Sequence, residues 1–261
     1  MKLRSALPIK RALHRTRLFF PIRTAHRVLF DRENFAFERR MHDLYSQWIH
    51  HGDLVFDVGA NHGMYSETFS LLGARVIAIE PNPALCDELD LLACGRDVTV
   101  VRSAVGDSAG EAKMRLFDRD AMGTISTEQK LSAASSDVKL IGEIDVSVTT
   151  LDLLAGKYGT PSFVKIDAEG FDDKVLRGLS FNPEVVTFEF SLDNFDLSKR
   201  CFEAPLFGSG LYMFNVTPGR SMECASQDWM DGKQLLERIQ FLLGPEEYGD
   251  VIARLRETPA R

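Results

Sequence analysis

Along the chain, short apolar runs alternate with stretches whose apolar positions recur at helical spacing. Leu54-Val55-Phe56-Asp57-Val58 is one such run, and it ends in the turn Gly59-Ala60-Asn61-His62-Gly63 before a helical pattern over 65–72. Strand, glycine turn, helix is the unit this predicts. A second unit has its run at 75–79, a turn at Pro81-Asn82-Pro83 and a helix over 84–93, with Pro83 suited to a first helical turn. A third β-branched run covers 98–101. Strands alternating with helices imply parallel pairing through right-handed crossovers.

The period then changes. Ala112, Met114 and Leu116, and later Ile144, Val146 and Val148, alternate with polar residues as half-buried antiparallel strands do, and the Ser-rich stretch 123–137 between them reads as a loop or lid. The strand–helix alternation resumes with a strand over 162–167, a helix over 172–179 and a strand over 185–190. Residues 212–216 read as the last strand, and 234–243 and 248–256 as helices separated by Gly244-Pro245. The expected class is α/β: a mostly parallel central sheet with helices on both faces, an antiparallel C-terminal strand and an N-terminal helical extension. The simplest division is a basic extension over 1–45 and one catalytic domain over 46–261.

Charge narrows the partners. Lys and Arg number 31 against 38 Asp and Glu, a formal net charge of −7, so the molecule as a whole repels phosphate backbones and no nucleic-acid partner is expected. The first 40 residues run the other way, with Lys2, Arg4, Lys10, Arg11, Arg15 and further arginines interleaved with Leu18, Phe19, Phe20 and Ile22. A solvated cap helix or a floppy arm is the simpler reading, and weak peripheral contact with an anionic membrane or a partner is the other. No apolar run approaches the roughly 20 residues that span a bilayer, and no secretory leader is recognisable. Cys86, Cys94, Cys201 and Cys224 lack paired zinc-ligand spacing and read as reduced thiols, which points to the cytoplasm.

In an open parallel sheet, ligands sit beyond the C-terminal strand ends, where Asp57, Gly59, Gly63, Glu80 and Asp167 all fall. A dinucleotide turn wants Gly-x-Gly-x-x-Gly facing a pyrophosphate, but Asn61 stands in place of the middle glycine. A loop of this kind, preceded by an acid, better suits a ligand with a cationic amino-acid tail and no phosphates, such as S-adenosylmethionine. Glu80 is placed to accept hydrogen bonds from ribose hydroxyls. In the run Val164-Lys165-Ile166-Asp167-Ala168-Glu169-Gly170, charges inside an apolar strand need partners or a site.

These segments resemble the FkbM-type methyltransferases, S-adenosylmethionine-dependent enzymes of the Rossmann-like class. The resemblance rests on Phe56 to Gly63, Ile79-Glu80-Pro81-Asn82, Ser103-Ala104-Val105-Gly106-Asp107, Thr150-Leu151-Asp152, Val164 to Gly170 and Val175-Leu176-Arg177-Gly178, and it spans about residues 50–216. It implies cofactor contacts by Asp57, Gly59, Ala60, Asn61 and Gly63, ribose binding by Glu80 beside Pro81, and an adenine pocket near Ser103 and Ala104. It also implies O-methylation of a sugar, glycolipid or natural-product hydroxyl. Methyl transfer to a neutral hydroxyl calls for a base, for which the candidates are Asp167, then Glu169 and Glu189, then His62. Asp167 also stands as a cofactor contact. No metal ligand is assigned, although Asp167, Glu169 and Glu189 would be the hard oxygen donors that a divalent cation takes. A nicotinamide-dependent oxidoreductase and a non-catalytic interaction module are the competing readings.

Overall fold

The computed structural model describes residues 32–118, 123–125 and 139–256. The basic segment 1–31, with its expected membrane contact, and most of the Ser-rich stretch 123–137 lie outside the described residues. The described residues open on helix α1 (Arg32–Tyr45) and proceed through β1 (Leu54–Val58), α2 (Met64–Leu71), β2 (Arg75–Ile79), α3 (Pro83–Ala93) and β3 (Val98–Val101). A small sheet follows, built from β4 (Ala104–Val105), β5 (Gly110–Phe117), β6 (Gly123–Thr124) and β7 (Leu140–Thr149). The main sheet resumes with α4 (Leu151–Tyr158), β8 (Phe163–Ile166), α5 (Asp172–Arg177), β9 (Val185–Ser191), α6 (Phe195–Cys201) and α7 (Pro205–Gly208). It finishes with β10 (Tyr212–Pro218), α8 (Gly232–Leu243) and β11 (Tyr248–Leu255).

The seven-stranded sheet has the order β10-β11-β9-β8-β1-β2-β3. β3, β2, β1, β8 and β9 pair in parallel, and β11 is inserted antiparallel between β9 and β10. Strand alternation sorts the core into two layers. Leu54, Phe56 and Val58 pack with Val175, Leu176, Leu235 and Ile239 from α5 and α8 on one face. Val55, Val76 and Phe163 pack with Phe37, Met41 and Tyr45 of α1, Phe69 of α2 and Leu89 of α3 on the other. Strands buried on both faces are why the sequence runs are nearly continuous in apolar residues.

One expected helix is a strand. Residues 248–256 form β11, whose Val251 and Ala253 face one core layer and Ile252 the other. A short apolar run buried on both faces has no period that tells strand from helix. This is the antiparallel C-terminal strand, and it lies beyond the 212–216 run expected to be last; β10 itself runs parallel to β9. The small sheet follows the alternation as read, β5 pairing antiparallel with β7 over a minor core of Ala104, Met114 and Val146.

Several signature residues hold elements together. Thr150 caps α4 by accepting from the Leu153 N–H, Asp152 Oδ1 accepts from the Ser180 N–H (2.8 Å), and the Gly178 carbonyl accepts from the Asp152 N–H (3.2 Å). At Gly178 a Cβ would lie 2.2 Å from the Gly106 carbonyl oxygen, so the Gly106 turn and the end of α5 approach more closely than any side chain permits. All four cysteines are free thiols. Among the described residues, no helix is long and apolar enough to cross a membrane.

Candidate active site

The turn after β1 is tied to the end of β2, for the N–H groups of Gly59 and Ala60 both donate to the Ile79 carbonyl (2.9 and 3.0 Å). Gly59 has φ 74°, and a Cβ there would lie 1.8 Å from the Asp167 backbone oxygen. Only glycine permits that contact, which brings the ends of β1 and β8 together. Gly63, at φ 82°, answers a different need: its missing side chain makes room for Leu89 and Leu92, letting α2 start against α3.

Asn61, at φ 51°, is a non-glycine residue in the left-handed region that asparagine tolerates best. Its N–H donates to Glu80 Oε2 (3.0 Å), while the Asn82 N–H donates to Oε1 (2.8 Å). Glu80 therefore binds both strand-end turns and still keeps lone pairs free on each oxygen. Burial pushes its carboxyl above the usual range, and the two amide hydrogen bonds pull it back.

In front of these turns lies a cleft of about 590 Å³. Gly59, Asn61, Glu80, Pro81, Ser103, Ala104, Asp167 and Glu169 from the sequence reading all line it. Its outer wall is supplied by Met114 of β5, which sequence reasoning did not assign to the site, and by Gly123 and Ile125 at the start of the stretch read as a loop or lid. The alternation of Met114 showed that it faces inward but not what it faces. Thr124 anchors this wall by donating to the Glu169 carbonyl (2.6 Å).

Asp57, Ala60, Gly63 and His62 do not line the cleft. Asp57 is fully buried behind the turn, where Ser66 donates to Oδ2 (2.6 Å) and Oδ1 has no hydrogen-bond partner. His62 sits on the outer side of the loop, 2.9 Å from Glu88.

Behind Asp167 is a buried cation. Lys165, 2% exposed, donates to Asp167 Oδ2 (3.0 Å) and lies 4.2 Å over the ring of Tyr65, whose hydroxyl is 3.4 Å from Asp250. Burial opposes this ammonium, but Asp167, Asp57 and Asp250 outweigh it and hold Lys165 above its usual range. Burial lifts Asp250 to about 6 even though Lys165 pulls the other way.

Past Asp167 the chain turns through Glu169 (φ 49°) and Gly170 (φ 80°) into α5. Asp172, rather than Glu169, secures this turn, accepting from the Ala168 N–H (3.2 Å). A second cleft of about 350 Å³ opens on the far side of Gly170, and Glu189, Asp172 and Asp173 line it. Glu189 lies well above the ordinary carboxyl range, first through burial and then through Asp167, Glu169, Asp172 and Asp250, the last directly opposite it across the β9–β11 pair. Asp172 is lifted to about 6, mainly by burial. Among the described residues, no group of three or more His, Cys, Asp or Glu side chains is arranged to hold a metal ion, so Asp167, Glu169 and Glu189 do not assemble as the set of cation ligands considered from sequence.

The sequence profile of the family described as "Methyltransferase FkbM domain" matches residues 57–250. The chain belongs to this family. It is similar to "Hexuronic acid methyltransferase AglP" of Haloferax volcanii, with 29% identity over 163 residues, 59% of this chain and 63% of that protein. The match therefore spans less than two thirds of that relative. A shorter match, 54% identical over 35 residues, is to "Ribosomal RNA large subunit methyltransferase E" of Archaeoglobus fulgidus, covering 13% of this chain and 18% of that protein. Among solved structures, an O-methyltransferase from Bacillus cereus in complex with SAH is similar at 12% identity and TM-score 0.42, covering 84% of this chain and 80% of that one.

S-adenosylmethionine is the methyl donor of FkbM methyltransferases, and the cleft fits it. Three carboxylates, Glu80, Asp167 and Glu169, line the cleft, and no described residue lining it carries positive charge. That set suits a nucleoside bearing a sulfonium and an ammonium and is hostile to a pyrophosphate. Glu80 would hold the ribose hydroxyls with its free lone pairs, and Asp167 and Glu169 would face the cationic tail. Glu80→Ala is expected to weaken S-adenosylmethionine binding by about 1.5 to 3 kcal/mol for each charge-assisted bond lost. Titration calorimetry checks this, and unchanged affinity would remove Glu80 from the site.

Proposed function

We propose that the protein transfers a methyl group from S-adenosylmethionine to a hydroxyl oxygen of a sugar or sugar-like acceptor. One observation carries this reading: a cofactor cleft whose charged lining residues are all acidic ends at Glu169, and a second cleft begins at Gly170, so that donor and acceptor would adjoin at the turn 167–170. The name of the Haloferax relative supports a sugar-class acceptor. The carboxylates of both clefts oppose a phosphodiester backbone, which supports a small acceptor over RNA.

When bound, S-adenosylmethionine supplies an electrophilic methyl group on a cationic sulfur. Transfer needs the acceptor oxygen in line with the methyl carbon and the sulfur, which is chiefly a matter of positioning. Asp167 is already engaged by Lys165, so we assign it to orienting the cofactor. Glu189 takes the acceptor's proton: it lines the second cleft, and burial with its carboxylate neighbours raises its basicity above that of an ordinary glutamate. Glu189 would hold the proton that the acceptor hydroxyl gives up as its oxygen takes the methyl group from sulfur.

Calorimetry with S-adenosylmethionine, its demethylated product and NAD tests the reading. The first two are expected to bind and NAD is not, because nothing positive among the described residues lining the cleft meets a pyrophosphate. Binding of NAD without S-adenosylmethionine would overturn it in favour of a nicotinamide-dependent enzyme.

A further inference from the structure

We propose that the cleft around Glu189 is the acceptor subsite and that, in contrast to the hexuronic acid in the name of the Haloferax relative, it selects a neutral or amine-bearing sugar over one carrying a carboxylate. This rests on the reading of the protein as a sugar O-methyltransferase. The cleft begins at Gly170, the residue after Glu169 of the cofactor cleft, so a single turn separates the two spaces. Asp172, Asp173 and Glu189 give it three carboxylates, Ser191 and Asn194 add neutral polar groups, and no described residue lining it is cationic.

Asp173 brings an unsatisfied acceptor to the cleft. The residue is 4% exposed, and its Oδ2 accepts no hydrogen bond. The nearest cation, Arg177 Nη2, is 3.9 Å away, beyond hydrogen-bond reach. A buried carboxylate oxygen left in this state is stabilised by any ligand that brings a donor. Sugar hydroxyls donate to carboxylates, and an ammonium does so with charge assistance. A sugar carboxylate has no donor to offer when ionised and would add a like charge among groups already withdrawn from water. Glu169 on the shared turn carries the same sign of charge, while Asp167 and Asp250 are offset by Lys165.

The test uses the full chain, labelled S-adenosylmethionine and methyl pyranosides of gluco, galacto and manno configuration. Each is offered in its neutral, 2-amino and uronate forms at pH 6.5, where the amine is protonated and the uronate ionised. For any configuration that is methylated, kcat/KM is expected to be lowest for the uronate, by about tenfold or more relative to the amine. Asp173→Asn is expected to narrow that gap while leaving S-adenosylmethionine affinity unchanged. A uronate turned over as well as its neutral and amino counterparts would overturn the inference and leave the sugar reading standing, as would a gap that Asp173→Asn does not move. Cofactor binding with no methylation of any pyranoside would overturn the sugar reading itself, and this inference with it.

Discussion

Lys165→Met is expected to destabilise the fold by about 3 to 5 kcal/mol at neutral pH, the effect of removing one partner from a buried charge pair. Methionine fills much of the space left by the lysine stem, so the loss would be chiefly electrostatic. Lys165 neighbours Asp57 in the β1–β8 register, donates to Asp167 and is attracted to Asp250. Without the ammonium, three carboxylates at the C-terminal edge of the sheet face one another with no buried cation, and the cation–π contact with Tyr65 is lost too. The sign of the pH dependence follows. Asp250 already titrates near 6 in the folded protein, above the ordinary aspartate value, so its ionisation opposes folding. Its favourable contribution is complete below the unfolded value and disappears as pH rises through about 6. Removing Lys165 raises the Asp57 and Asp250 carboxyls further, so the deficit of the variant should be greatest at pH 8 and shrink toward pH 5.5. Denaturant unfolding at the two values checks it. An equal deficit at both would assign the loss to packing and not to charge.

Much of this fold was legible because the main-sheet strands carry apolar runs bounded by turns, as at Leu54–Val58 and Arg75–Ile79. β11 was not, since Val251, Ile252 and Ala253 are buried on both sides and offer no period to read. Of the site, Glu80 and Asp167 were legible as acids at strand ends. The roles of the glycines were less so. Gly59 and Gly63 look alike in sequence, yet the first admits the Asp167 backbone and the second admits leucines of α3. Thr150, Asp152 and Gly178 belong to the same recognisable pattern as the cleft residues, but they cap, bridge and pack. Sequence could not separate these uses, because a residue required for a close contact and one required for a ligand leave the same mark. The outer wall of Met114, Gly123 and Ile125 depends on how the small sheet folds back over the main one, and no local pattern encodes that.

Glu189→Gln is expected to lower kcat by about 10²- to 10⁴-fold, the usual worth of a positioned general base. Affinity for S-adenosylmethionine should hold, since Glu189 lines the second cleft and not the first. Stability should move the opposite way. Burial and four neighbouring carboxylates raise the folded pKa of Glu189, so its charged form opposes folding at any pH above the unfolded glutamate value. Glutamine keeps the shape and removes that charge, so the variant should melt higher than the parent at neutral pH, with the gain fading as the solution is made acidic. In the parent enzyme, rate should climb with pH as Glu189 loses its proton, and the variant should lose that limb of the profile. A residue that only packs would show the reverse pairing, with lower stability and a retained profile. A slower but more stable enzyme is what a functional acid held in an unfavourable place should yield. An unchanged kcat would pass the role of base to Glu169, the remaining carboxylate on the turn between the two clefts.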